Sequence, residues 1–204
     1  MLLATDNVGR TVFHVAARYY KLEVFQGILN LAKENLTKEE VNKLLLATEK
    51  EGRSFIHVAA RYSKLEVIQL VLIWAKENLT REELYELLLA TDNWGRTVFH
   101  VAATYSELEV IQGILNWTKE NLTREEVNKL LLATDNVGRT VFHVAAWYYK
   151  LEVFQGILNR VKKDLTMEEV NKLLLATDNV GRTVFHLAAR YFKLEVFQGI
   201  LNWV

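Results

Sequence analysis

Between positions 22 and 32 the apolar side chains Leu22, Phe25, Ile28, Leu29 and Ala32 recur three and four residues apart, the spacing that gathers them on one face of an α-helix. Ahead of them, Val12-Phe13-His14-Val15-Ala16-Ala17-Arg18-Tyr19-Tyr20 reads as a shorter helix that cannot persist in water unless it is packed. Its paired alanines leave room for a neighbouring helix, and Thr11 stands where a hydroxyl can reach the free amides of the first turn. A third segment follows. Thr37 and Glu40 have the T-x-x-E spacing of a capping box, and Val41, Leu44 and Leu45 form one apolar stripe before Ala47-Thr48. Asp6-Asn7-Val8-Gly9 is a turn signal, because Asp and Asn side chains bond nearby backbone and glycine accepts the positive φ of a tight turn. The pattern predicts a hairpin-like tip, two antiparallel helices and a third helix.

The same pattern then repeats. His14, His57, His100, His143 and His186 are spaced 43 residues apart and account for every histidine in the chain. Residues 4–46 and 133–175 differ at only six positions, Arg18/Trp147, Leu31/Arg160, Ala32/Val161, Glu34/Lys163, Asn35/Asp164 and Lys38/Met167. The glycines keep the period too: Gly9, Gly52, Gly95, Gly138 and Gly181 in the tips, and Gly27, Gly113, Gly156 and Gly199 inside the second helices. Self-similarity at this period predicts an all-α helical repeat solenoid of about five units, in which each unit hides its apolar side against the next. The chain 1–204 reads as one domain with repeat cores 4–46, 47–89, 90–132, 133–175 and a partial 176–204. A glycine inside a helix costs roughly 1 kcal/mol against alanine, so Gly27 and its copies are expected to make room for a bulky neighbour. Leu70 replaces that glycine in one copy, where Ile68 stands for the Phe25, Phe154 and Phe197 of others, which reads as volume compensation.

Composition narrows the classes. Lys plus Arg and Asp plus Glu number 25 each, so the chain has no net charge to attract nucleic acid or an anionic membrane. The absence of cysteine excludes disulfides and thiolate chemistry and agrees with a reducing compartment. Met1-Leu2-Leu3-Ala4-Thr5-Asp6 has neither the charge order of a signal peptide nor the length of a membrane span. A cytoplasmic or otherwise intracellular protein is expected, with no nucleic-acid and no membrane partner.

The run Asp6-x-x-Gly9-x-Thr11-x-Phe13-His14-x-Ala16-Ala17-x-x-x-x-Leu22-Glu23-Val24, repeated in five copies of which the second has Glu49, Ser54 and Ile56 for Asp, Thr and Phe, resembles the ankyrin repeat. The resemblance covers about two-thirds of each period. It departs from the family at Val12, where proline is usual, at Tyr20 or Ser63, where a helix-ending glycine is usual, and in a period about ten residues longer than 33. The extra length matches the third helix and identifies an extended ankyrin-like variant. The resemblance implies that the repeated histidine is a strut between units. It also implies that partners dock on the turn tips and the exposed face of the first helix. Those positions are Asn7, Val8, Arg10, Arg18, Tyr19, Arg53, Arg61, Tyr62, Trp94, Arg96, Thr104, Tyr105, Val137, Arg139, Trp147, Tyr148, Arg182, Arg190 and Tyr191. Tyrosine, tryptophan and arginine dominate binding hot spots. The repeated tyrosines either stand exposed for a partner or pack between first helices, and the sequence leaves both open.

Other chemistry reads as structural. Successive histidines lie too far apart to share a metal ion, and no H-E-x-x-H, G-x-S-x-G, phosphate-loop or dinucleotide pattern occurs. Paired acids such as Glu39-Glu40 favour the dipole of a helix start. Asn35-Leu36-Thr37, Asn78-Leu79-Thr80 and Asn121-Leu122-Thr123 match a glycosylation sequon, but each threonine is explained as a cap. Arg10, Arg53, Arg96, Arg139 and Arg182 are expected to pair with acids such as Asp6 and its copies. No enzyme, metal or cofactor is expected. Two function classes remain: a protein or peptide docking on the arginine/aromatic stripe, or a structural repeat body that associates end to end through termini that lack polar caps, Leu2-Leu3-Ala4-Thr5 and Leu201-Asn202-Trp203-Val204. Near-identical copies without proline favour a consensus-like or designed array, whereas the irregular second copy looks inherited.

Overall fold

The computed structural model describes residues 2–19, 21–62, 65–148, 150–191 and 197, with only the backbone of Tyr191. The described residues are all-α, with thirteen helices and no strand among them; a single bridge pairs Thr48 with Ser54. The helices come in threes: α1 (Val12–Arg18), α2 (Leu22–Asn35) and α3 (Lys38–Leu46); α4 (Phe55–Tyr62), α5 (Leu65–Asn78) and α6 (Arg81–Leu89); α7 (Val98–Tyr105), α8 (Leu108–Asn121) and α9 (Arg124–Leu132); α10 (Val141–Trp147), α11 (Leu151–Val161) and α12 (Met167–Leu175). A last helix, α13 (Val184–Tyr191), opens a fifth unit whose second helix, apart from Phe197, lies outside the described residues, as do Tyr20, Ser63, Gly199 and residues 201–204. No helix of the described residues is long and apolar enough to cross a membrane.

First helices pack on first helices, α1 on α4, α4 on α7, α7 on α10 and α10 on α13, and second helices likewise, α2 on α5, α5 on α8 and α8 on α11. Ala17, Ala60, Ala103 and Ala146 are wholly buried at these contacts, where a methyl group is the largest side chain that lets two backbones come close. Phe13, Phe99 and Phe142 fill the space between the layers, and the Trp74 ring stacks on Phe13 at 5.2 Å. At every third helix the capping box forms: Thr37, Thr80, Thr123 and Thr166 accept from the amide three residues on, and the glutamate there reaches back to the threonine N–H. Val41, Leu44 and Leu45 are all buried.

The helical glycines answer to the preceding unit. A Cβ at Gly113 would sit 2.2 Å from Leu65 Cδ1 and one at Gly156 would sit 2.3 Å from Leu108 Cδ1, so each cleft seats a leucine from the helix before. Gly27 has nothing within 4 Å. The volume exchange expected at Leu70 does not hold, because Ile68 is wholly buried while Leu70 is half-buried, and the third unit combines Ile111 with Gly113. Leu22, expected on the buried face of α2, is instead 42% exposed. Its counterparts Leu65 and Leu108 are half-buried in the glycine clefts, whereas residue 70 opposite Leu22 carries a side chain in place of that opening.

Candidate binding groove at the tips and first helices

The tips are built as the sequence implies. Gly9, Gly52, Gly95, Gly138 and Gly181 have φ between 74° and 81°, a region that glycine enters without steric cost. In each tip an acid organises the turn: Asp92 Oδ1 accepts from the amides of Trp94 and Arg96, and Asp92 Oδ2 accepts from Arg96 Nε at 2.8 Å. Arg10 pairs with Asp6, Arg53 with Glu49 and Glu51, Arg139 with Asp135 and Arg182 with Asp178. Burial works against the charge on Arg53 and Arg96, but the hydrogen bonds they donate to these acids, and from Arg96 to Tyr105, together with the acids' charge outweigh it and hold both guanidiniums above their ordinary pKa. Successive tips are zipped by backbone bonds, Lys50 N–H to Val8, Asn93 to Glu51, Asn136 to Trp94 and Asn179 to Val137, with the side chains of Asn93, Asn136 and Asn179 donating to the tip before.

The histidines tie first helices to tips. His14 Nε2 lies 3.0 Å from the Arg53 carbonyl, which can only accept, so the ring proton is on Nε2. Nδ1 is then an acceptor for both the amide and the hydroxyl of Thr11. The threonine hydroxyl, expected to serve a first-turn amide, closes a capping box with the backbone of His14 and also meets this ring, at 2.9 Å from Nδ1. His57, His100 and His143 repeat the arrangement with the carbonyls of Arg96, Arg139 and Arg182. Both nitrogens are engaged, which gives these four histidines a structural role. Burial drives the rings toward the neutral form, lowering the pKa of His14, His100 and His143 and that of His57 to about 4.

Between tips and first helices runs a groove of about 620 Å³ lined by Arg18, Arg53, Arg61, Tyr62, Trp94, Arg96, Thr104, Tyr105, Arg139 and Tyr148, all among the residues the sequence singles out, together with Glu51 and Val144. Its guanidiniums and rings interleave. Arg18 lies 4.8 Å and Arg61 5.1 Å from the Tyr62 ring centre, and Arg61 lies 4.0 Å from that of Tyr105. Arg96 sits 4.7 Å from the Trp94 ring centre and donates to Tyr105 Oη at 3.3 Å. Arg139 and Arg182 flank Trp147 at 5.7 and 5.2 Å. For Tyr105 both possibilities are met in part: 40% exposed, it gives some of its surface to Arg61 of the unit before and keeps the rest for solvent, while Tyr148 is 43% exposed.

Other members of the sequence-derived set fall elsewhere. Arg10 and Tyr19 line a separate, mostly apolar groove on the first unit, and Val8 stands exposed at its tip. Arg53 is only 8% exposed and is committed to its two glutamates, so it offers less to a partner than its sequence position implies. Arg190 lies on α13, and the Tyr191 side chain is outside the described residues. Glu51 was legible by phase, since it holds the tip position of Val8, Trp94 and Val137. Neither protein-family models nor curated proteins yield a match to this chain.

Proposed function

We propose that this chain is an ankyrin-like repeat solenoid, extended by a third helix per unit, that serves as a protein-interaction module. The groove just described carries the reading. Four rings and five guanidiniums from four consecutive units line one continuous channel on the side where the ankyrin resemblance puts partner docking. Large aromatic and arginine side chains held by neighbours have little entropy left to lose on binding. The test compares proteins captured from lysate by the native chain and by one carrying Trp94→Ala, Tyr105→Ala, Trp147→Ala and Tyr148→Ala, both shown to be folded by circular dichroism. A specific band lost with the variant is the expected result; identical capture by both removes the groove from the reading.

A second reading is end-to-end self-association of a structural repeat body. The first unit's α1 and α2 present Val12, Val15, Ala16, Val24 and Ile28 in an apolar groove of about 740 Å³. The corresponding Val98, Val101 and Ala102 of the third unit are covered by the unit before. A second copy would stack on that face. Sedimentation of native chain and Val24→Glu decides it, with association in the native chain alone as the supporting outcome and a concentration-independent monomer as the opposing one.

A further inference from the structure

Resting on the reading of the groove as a docking surface, we infer that its partner is an acidic peptide segment whose carboxylates are received by Arg18 and Arg61. The argument starts from which cations are already satisfied. Arg53, Arg96 and Arg139 each hold an acid of their own tip, so their charge is spent inside the unit. Arg18 and Arg61 have no carboxylate within ion-pair distance among the described residues; what they have is aromatic faces, Tyr62 for both and Tyr105 for Arg61. Two like charges are thus gathered around one ring, no farther apart than the sum of their 4.8 and 5.1 Å distances to its centre. Glu51, the acid on the groove wall, is paired with Arg53, so among the described residues no ion pair offsets their mutual repulsion, and an incoming anion would.

The geometry also suits carboxylates. A guanidinium lying over a ring is held there by the charge of the ring face, and it carries the planar fork of donors that a carboxylate takes in bidentate fashion. That contact restrains the side chain, so less entropy is lost when the carboxylate arrives. A nucleic acid fits poorly. Its backbone needs a row of uncompensated cations, whereas this groove has three arginines already paired and Glu51 on its wall.

The experiment is fluorescence anisotropy of the full chain with a dye-labelled dodecapeptide alternating glutamate and alanine. The same peptide with glutamine for glutamate and a double-stranded DNA oligonucleotide serve as the other probes. We expect the glutamate peptide alone to bind, binding to weaken as salt rises, and Arg18→Gln with Arg61→Gln to weaken it at least tenfold. Arg18→Lys with Arg61→Lys should fall between, since charge remains but the planar fork is lost, and Lys43→Gln with Lys129→Gln should bind like the native chain. Matching circular dichroism and melting curves establish that the variants are folded. Failure of the glutamate peptide to bind, equal binding by the double glutamine variant, or tighter binding of DNA overturns the inference. Lysate capture that depends on Trp94 and Tyr105 but not on Arg18 and Arg61 would leave the docking surface standing and remove its acidic partner.

Discussion

At the scale of single residues, the most constrained group is the buried histidine. Each ring works only when neutral with its proton on Nε2. Protonating Nδ1 would set a donor against the fixed N–H of Thr11, Ser54, Thr97 or Thr140, and although a hydroxyl can turn away, that amide cannot. The folded pKa of His57 lies at about 4, below its unfolded value of roughly 6.5, so the unfolded chain binds the proton first. The stability this represents is therefore present above about pH 6.5 and lost as pH falls toward 4. The same direction holds for His14, His100 and His143. Glu49 and Asp178 are buried against ionisation yet lowered by their arginines, so they add a loss of the same sign further into acid. Urea midpoints taken from pH 7 to pH 4.5 should fall steadily, with His57 alone contributing roughly 2–3 kcal/mol by the end. A flat profile over that range would contradict the neutral-ring assignment.

At the scale of elements, capping and glycine placement decide where helices start and how closely they approach. Thr123→Ala should cost about 1 kcal/mol, because the hydroxyl that accepts the Glu126 amide is lost and half of the capping box goes with it. Thermal melts of this variant should show a small downward shift. The glycines should separate by context. Gly27→Ala meets open space in an exposed stretch of α2 and should stabilise by about 0.5–1 kcal/mol through helix propensity. Gly95→Ala should destabilise, because φ is 75° and a Cβ would lie 2.6 Å from the Asn136 amide nitrogen. Denaturant titration of the two variants should therefore move in opposite directions.

The elements show why some features were legible in the sequence and others were not. Thr37 and Glu40 announce a helix start because capping is local, decided within four residues. The turn at Asp6-Asn7-Val8-Gly9 is local for the same reason. The leucine seated against Gly113 comes from Leu65, one unit earlier, and nothing within a single period specifies that pairing. The groove divides likewise. Its residue types and phase could be read from one unit, including the tip position that Glu51 occupies, whereas the sharing of Tyr62 between Arg18 and Arg61 depends on side chains a full period apart. The cap at Thr11 could be read for the same local reason, whereas the second contact of its hydroxyl, with the buried His14 ring, depends on that ring being held by the Arg53 carbonyl of the next unit.

At the scale of the whole molecule, units lean on neighbours, so stability should vary along the chain. Inner units are covered on two sides; in the first unit Leu22, Val24 and Leu31 remain exposed. Native-state hydrogen exchange should accordingly show α1 and α2 opening more readily than α7 and α8, at a lower free energy than global unfolding. Uniform protection across these four helices would mean that the units melt as one block and that leaning on neighbours does not set local stability.

The bonds from tip to tip carry a consequence for how this chain tolerates change in length. Asn93, Asn136 and Asn179 each hang on a carbonyl exactly one period back, so the row of turns works as a ruler whose graduations must coincide. One residue added within a turn would throw two graduations out of step at once. The same residue added after α2, near the exposed Asn35, would lie off the ruler altogether and leave its marks aligned.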